Sequence, residues 1–205
     1  MKISLVDYGV GNIFSVGQAL KALNIDFTLD SDGKSILKSD LVIVPGVAAF
    51  GVGMKNLEER GQAEELRNFF SLGKPLIGLC LGAQMFLNSS TESALSKGFG
   101  FVEGKVIALD ENLCRVPQQG WSKLEAKNSS TFSKFHTEYF YFSHGYKMII
   151  NDLKIVAHTS QHEREKVTAF FIDKNVLGIQ FHPERSGPIG LKFLEKAILD
   201  ANIWT

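Results

Sequence analysis

Two short motifs, a hundred residues apart, hold the side-chain types needed to cleave an amide through a covalent intermediate. Cys80 lies in Gly78-Leu79-Cys80-Leu81-Gly82, between an apolar run and a helical pattern. This is the thiol version of the Gly-x-Ser-x-Gly nucleophile elbow, in which two glycines admit a sharp turn and the nucleophile projects from a strained backbone. Unpaired N–H groups at the start of the following helix favour a thiolate, so attack on a carbonyl becomes feasible near neutral pH. His182 ends a second apolar run in Gly178-Ile179-Gln180-Phe181-His182-Pro183-Glu184, and Glu184 is close enough in sequence to accept the other ring N–H and hold the tautomer. Cysteine, histidine and glutamate then supply nucleophile, base and orienting carboxylate. An oxyanion also needs donors: the backbone N–H of Leu81 is one, and Val47 and Ala48 of the loop Pro45-Gly46-Val47-Ala48-Ala49-Phe50 are the expected source of the second.

These motifs need a scaffold that ends strands at sharp turns, and the pattern of the first half supplies one. Ile3 to Asp7 reads as a buried strand, followed by a helix capped by Asn12 with Ile13, Val16, Leu20 and Leu23 on its apolar face. Leu41 to Val44 is a second strand, Leu57 to Leu72 a charged surface helix, Leu76 to Leu79 a third strand, and a helix runs from about Leu81 to Leu87. From Gly98 the texture changes. Gly98 to Phe101, Val106 to Leu109, Tyr139 to Phe142, Ile155 to His158, Val167 to Ile172 and Leu177 to Phe181 read as short strands of an antiparallel or mixed sheet, and Gly190 to Ala201 as a closing amphipathic helix. The whole predicts an α/β fold and, with no repeat or low-complexity linker, one domain over residues 1–205.

Composition narrows the partners. The chain has 205 residues, 22 Lys and Arg against 22 Asp and Glu, so zero formal charge argues against the basic patch that drives nucleic-acid or anionic-membrane binding. Cys80 and Cys114, its two cysteines, cannot make a disulfide scaffold or a four-cysteine metal site, and neither a metal nor a cofactor is expected. The apolar run after Met1-Lys2 stops at Asp7, too short for a signal-peptide core, and no uncharged run reaches the length of a membrane span; a cytoplasmic protein is expected.

Other motifs fail on inspection. Tyr8-Gly9-Val10-Gly11 imitates a dinucleotide fingerprint, but Phe14 stands where the third glycine belongs. Gly33-Lys34-Ser35 lacks the leading glycine of a phosphate loop, having Thr28 there, and reads as a surface turn. His158 and His162 follow a strand-like run that spoils helical ligand spacing, Glu163 to Lys166 reads as an exposed turn, and Cys114 as a structural thiol.

Through the elbow and the His-Pro-Glu motif, the chain resembles the class I (triad) glutamine amidotransferases. Among these, it is similar to the glutaminase subunits of imidazole glycerol phosphate synthase. The resemblance runs over nearly the whole length: Asp7 to Asn12, Pro45 to Phe50, Gly78 to Gln84, Val116-Pro117 to Gly120-Trp121, Tyr141 to Tyr146 and Gly178 to Glu184. It implies a three-layer, flavodoxin-like fold with a mainly parallel central sheet and an antiparallel portion. It also implies hydrolysis of L-glutamine to glutamate and ammonia through a thioester on Cys80, with His182 and Glu184 completing the triad. Gln84, Glu92, Ser143, His144 and Gly145 would bind the amino-acid end of the substrate. Ammonia would pass to a (β/α)8-barrel synthase subunit of a heterodimer in histidine biosynthesis, with Trp121 an interface anchor; read from the sequence alone, a core tryptophan is an equal alternative. The chain departs from the family at Ala48, at Gln118-Gln119, at Ser122 and at Gly145. Three alternatives stay open: a paralogue feeding another acceptor such as a surface-polysaccharide sugar, a stand-alone cysteine amidohydrolase, and a non-catalytic binding module.

Overall fold

The computed structural model describes residues 1–92, 96–125, 132–150, 156–202 and 204, with the backbone alone for 156–162. In chain order the elements are β1 Ile3–Val6, α1 Ile13–Ala22, β2 Thr28–Asp30, β3 Leu41–Val44, α2 Phe50–Glu59, α3 Gln62–Ser71, β4 Leu76–Leu79, α4 Leu81–Met85, β5 Ser89–Ser90 and β6 Ser96–Lys97. There follow β7 Gly104–Ala108, β8 Gln118–Glu125, β9 Tyr139–His144, β10 Tyr146–Ile150, β11 Val156–His162, β12 Glu165–Asp173, β13 Val176–Ile179 and α5 Gly187–Leu199.

The central sheet has the order β2-β1-β3-β4-β13-β12-β11-β8-β9 among the described residues. Pairing is parallel from β2 through β13 and antiparallel from β13 to β9. A smaller sheet, β10-β7-β5-β6, lies beside it. This is the expected α/β architecture, with a mainly parallel core and an antiparallel extension.

The inner strands β3, β4 and β13 carry no polar side chain because both faces are covered. On β3, Leu41 and Ile43 join the core beneath α1 and α5, while Val42 and Val44 face α2, α3 and α4. The first core contains Val16, Ala19 and Leu20 of α1, Phe193, Leu194, Ala197 and Ile198 of α5, and an aromatic group of Phe132, Phe135, Phe140, Phe142, Phe170 and Phe181. The second holds Phe50, Met54 and Leu57 of α2 with Ala63, Leu66 and Phe69 of α3. Burying one such aliphatic or aromatic side chain contributes about 1.5–3 kcal/mol before entropy is counted.

Three local expectations are corrected. The segment Leu57 to Leu72 is not one helix: the chain breaks at Gly61, φ +70°, and α2 and α3 pack on each other there. Gly98 to Phe101 is not a strand; Gly100 turns the chain at φ +68°, and Phe99 and Phe101 stack at 4.8 Å between centroids. Nor is Glu163 to Lys166 wholly an exposed turn, because Glu165 opens β12, is buried, and accepts from Lys147. The strand reading around His158 agrees with β11, but the side chains of His158 and His162 lie outside the described residues.

Candidate active site

The adjacent parallel strands β4 and β13 run in register, Leu76 to Leu79 opposite Val176 to Ile179, and their carboxyl ends deliver Cys80 and His182 to one side of the sheet. That is the edge at which open α/β sheets bind ligands. Cys80 is the residue between β4 and α4, with φ +51° and ψ −106°, a conformation that costs a side-chain-bearing residue of order 1–3 kcal/mol. Its N–H donates to Ile179 O at 2.6 Å and its carbonyl accepts from Gln84 N at 3.1 Å, so the strained residue is held on both sides. The two motif glycines are required sterically. A Cβ on Gly82 would stand 1.8 Å from Val44 O, and one on Gly78 would stand 2.6 Å from Ala83 N.

His182 leaves the β13 segment in extended conformation and is buried. Its Nδ1 lies 2.8 Å from Glu184 Oε1, and its Nε2 is buried with no hydrogen-bond partner. Both His182 and Cys80 line a cavity of about 490 Å³. Burial disfavours the imidazolium, but the Cys80 sulfur and the Glu184 carboxylate beside the ring outweigh it and push the His182 pKa up to about 10. The arrangement suits a cysteine–imidazole pair with a carboxylate behind the ring.

The loop after β3 is pressed against the elbow. A Cβ on Gly46 would lie 2.2 Å from the Tyr8 hydroxyl and 2.8 Å from Leu81 Cβ, so only glycine fits. Buried Tyr8 donates its hydroxyl to Pro45 O at 2.5 Å and fixes the loop from below; burial, and then the charge on Cys80, raise its pKa. Val47, Ala48 and Leu81 all line the cavity, as the oxyanion reading requires.

The remaining expected residues share this cavity, with one exception. Gln84, Glu92, Ser143, His144 and Gly145 line it. Glu92 accepts from Phe50 N at 2.6 Å, which sets its carboxylate at the start of α2. Gln84 donates from Nε2 to Tyr146 O and to Gln180 Oε1, each at 3.0 Å. His144 Nδ1 faces the Tyr146 carbonyl at 2.8 Å; a carbonyl only accepts, so that nitrogen carries a hydrogen. Trp121 lies outside the cavity lining. It is 55% exposed on β8, opposite Tyr141 of β9 with ring centroids 6.1 Å apart, which removes the core alternative. Arg185, at the cavity wall, stacks on Tyr141 at 4.5 Å.

Among the departures, Gln118 is buried and donates to Ser122 Oγ at 3.0 Å, so the two changed positions are partners along β8. A Cβ on Gly145 would meet only Val116 Cγ1, at 3.8 Å, so space does not force glycine there. Nothing in the structure explains Ala48.

Sequence reasoning gave no role to Gln180, which is fully buried beside Cys80 with Nε2 3.7 Å from Sγ. The available signal was alternation: on an extended segment, residues two apart share a side, so Gln180 follows His182. The helix after the elbow is also shorter than expected, ending at Met85. Little more than one turn gives a weak dipole, so specific donors must do more of the work at the sulfur.

Fold and site together define a class: α/β proteins whose strand-to-helix cysteine shares a cavity with a carboxylate-backed histidine. The family model for glutamine amidotransferase class-I matches residues 4–201. The imidazole glycerol phosphate synthase subunit HisH of Methanopyrus kandleri is 37% identical over 98% of this chain and 100% of its own length. That of Listeria innocua is 40% identical over 94% of this chain and 93% of its own. Among solved structures, a glutamine amidotransferase superposes with TM-score 0.76 at 19% identity, covering 98% of this chain and 99% of that one, and PurLQS from Thermotoga maritima with 0.72 at 18%, covering 97% of each; both speak to the fold. The chain belongs to the class I glutamine amidotransferase family, in the group of the imidazole glycerol phosphate synthase HisH subunits.

Proposed function

We propose that the protein is the glutaminase subunit of an imidazole glycerol phosphate synthase. It hydrolyses L-glutamine to glutamate and passes the ammonia to a (β/α)8-barrel synthase subunit of a heterodimer in histidine biosynthesis. Residues 1–205 act as one glutaminase unit, in the cytoplasm. The observation that carries the reading is the elbow cysteine in the same cavity as His182, whose Nδ1 stands 2.8 Å from Glu184 Oε1.

In the proposed reaction the Cys80 proton resides on His182, and the sulfur attacks the side-chain carbonyl carbon of glutamine. The C=O electron pair moves to oxygen, and the oxyanion is met by the N–H of Leu81 and by N–H groups of Val47 and Ala48; such a donor contributes roughly 3–4 kcal/mol at the transition state. Collapse breaks the C–N bond, with His182 giving its proton to the leaving nitrogen, so ammonia departs and a thioester remains. Water then attacks the thioester while His182 takes its proton. The C–S bond breaks, releasing glutamate and restoring Cys80. Glu184 holds the ring throughout and stabilises its charged form.

The substrate's ammonium needs an acceptor, which Glu92 provides, while Gln84 and the chain from Ser143 to Gly145 hold the amino-acid end. A partner follows from the product. Free ammonia is mostly protonated in neutral water and loses its nucleophilicity, which a closed route between sites avoids. Trp121, exposed beside Tyr141, is the proposed anchor for the synthase subunit. Among the described residues no helix is long and apolar enough to cross a membrane, and no cluster of metal-ligating side chains occurs. The test is glutamate release by the protein with its synthase subunit. Turnover that disappears in Cys80→Ala supports the proposal, and unchanged turnover in that variant refutes it.

A further inference from the structure

The elbow cysteine has a second neighbour with a defined polarity. Gln180 follows β13 directly, and the register Ile179 opposite Leu79 sets it beside Cys80. Its backbone N–H donates to Ala169 O at 2.7 Å, its side chain is fully buried, and its Nε2 lies 3.7 Å from Cys80 Sγ.

Which end of this amide faces the sulfur is decided by a chain of contacts. The Tyr146 carbonyl can only accept, so the Gln84 atom 3.0 Å from it is the amide nitrogen. The same nitrogen lies 3.0 Å from the Gln180 side chain, which must therefore turn its oxygen toward it. The Gln180 NH2 group is left aimed at Sγ. A flipped Gln180 would bring two NH2 groups together and set an oxygen against the sulfur, two unfavourable contacts inside a buried site.

We propose that Gln180 is the hydrogen-bond donor that holds the Cys80 thiolate in place, with Gln84 and the Tyr146 carbonyl fixing the direction of its amide. This deepens the glutaminase reading and rests on it. Gln180 and His182, two residues apart on an extended segment, would then act on the same sulfur differently. The imidazole exchanges a proton with it, whereas the amide has none to give and stabilises the anion alone. A neutral donor is suited to that role because it supports the charge without competing for the proton.

The test is the pH dependence of Cys80 carbamidomethylation by iodoacetamide in the folded protein, read by mass spectrometry of the Cys80 peptide. It needs no glutamine, so it distinguishes failure of this proposal from failure of the glutaminase reading, which would appear as absent glutamate release by wild type. Gln180→Leu removes the donor at similar volume, and the midpoint of the alkylation profile is expected to rise by about one pH unit, roughly a tenfold loss of thiolate at neutral pH. Gln180→Glu keeps an acceptor for Gln84 but sets an anion against the sulfur, and its midpoint is expected to rise further. In glutamate release with the synthase subunit, both variants should lose mainly kcat, with KM for glutamine changed less than about threefold. Profiles of Gln180→Leu and Gln180→Glu that superpose on wild type overturn the proposal. If Gln180→Leu does not fold, Gln180→Met, which also lacks the donor at similar length, decides in its place, a raised midpoint supporting the proposal and an unmoved one refuting it.

Discussion

Cys80 and Cys114 are buried almost equally, 6% and 4% exposed, yet their surroundings oppose each other. Around Cys114 the chain sets acceptors. Its thiol donates to Glu165 Oε2 at 3.3 Å, and burial together with that carboxylate pushes its pKa up to about 11. Around Cys80 it sets a donor amide and an imidazole backed by a carboxylate. Cys114 does not have positive φ, whereas Cys80 is one of the few residues other than glycine with positive φ among those described. Residue type and burial are thus shared, and on the proposed mechanism the polarity of the neighbours together with the strained elbow is what separates a reactive sulfur from an inert one.

The largest expected effect breaks the comparison on the reactive side. Cys80→Ala should lower kcat for glutamate release by roughly 10⁴-fold or more, while Cys114→Ala changes it less than about twofold, measured with the synthase subunit present. Next comes the support behind the ring. Glu184→Gln removes the carboxylate charge beside His182 but keeps a hydrogen-bonding group, and should cost roughly 100-fold in kcat, less than Cys80→Ala. Steric demands at the elbow give the next effect. Gly82→Ala forces a methyl group onto the Val44 carbonyl and should destabilise the fold by about 3 kcal/mol in urea unfolding, without an equivalent at Cys114.

The smallest effect is in pH dependence. The folded pKa of His182 is about 10, against about 6.5 unfolded. Its stabilising contribution is therefore fully present below about pH 6.5 and is lost as the pH rises through about 10. Cys80→Ala removes one raising partner and leaves burial less opposed, so the imidazole pKa, followed by NMR, should fall in that variant.

Much of this contrast was legible in the chain. Unbroken apolar runs such as Leu41 to Val44 mark strands covered on both faces, and strict glycine spacing marks the elbow, because both follow from local geometry. Strands β8 and β10 were not read, since their alternation is diluted by residues such as Lys123 and Lys147 that face solvent or a buried ion pair. The break at Gly61 was hidden because both flanking segments share one charged, helix-like texture. Gln180 sat within a motif already singled out, but its partner Gln84 lies 96 residues away, so the direction of its amide emerges only when β4 and β13 pair.

The most direct measurement is peptide-mapped mass spectrometry after treating the protein, with its synthase subunit, with a glutamine-analogue electrophile near neutral pH. The account predicts a single adduct on Cys80, protection by glutamine, and no adduct on Cys114. Labelling of Cys114 in preference, or glutamine turnover that continues after Cys80 has been replaced by alanine, would contradict it.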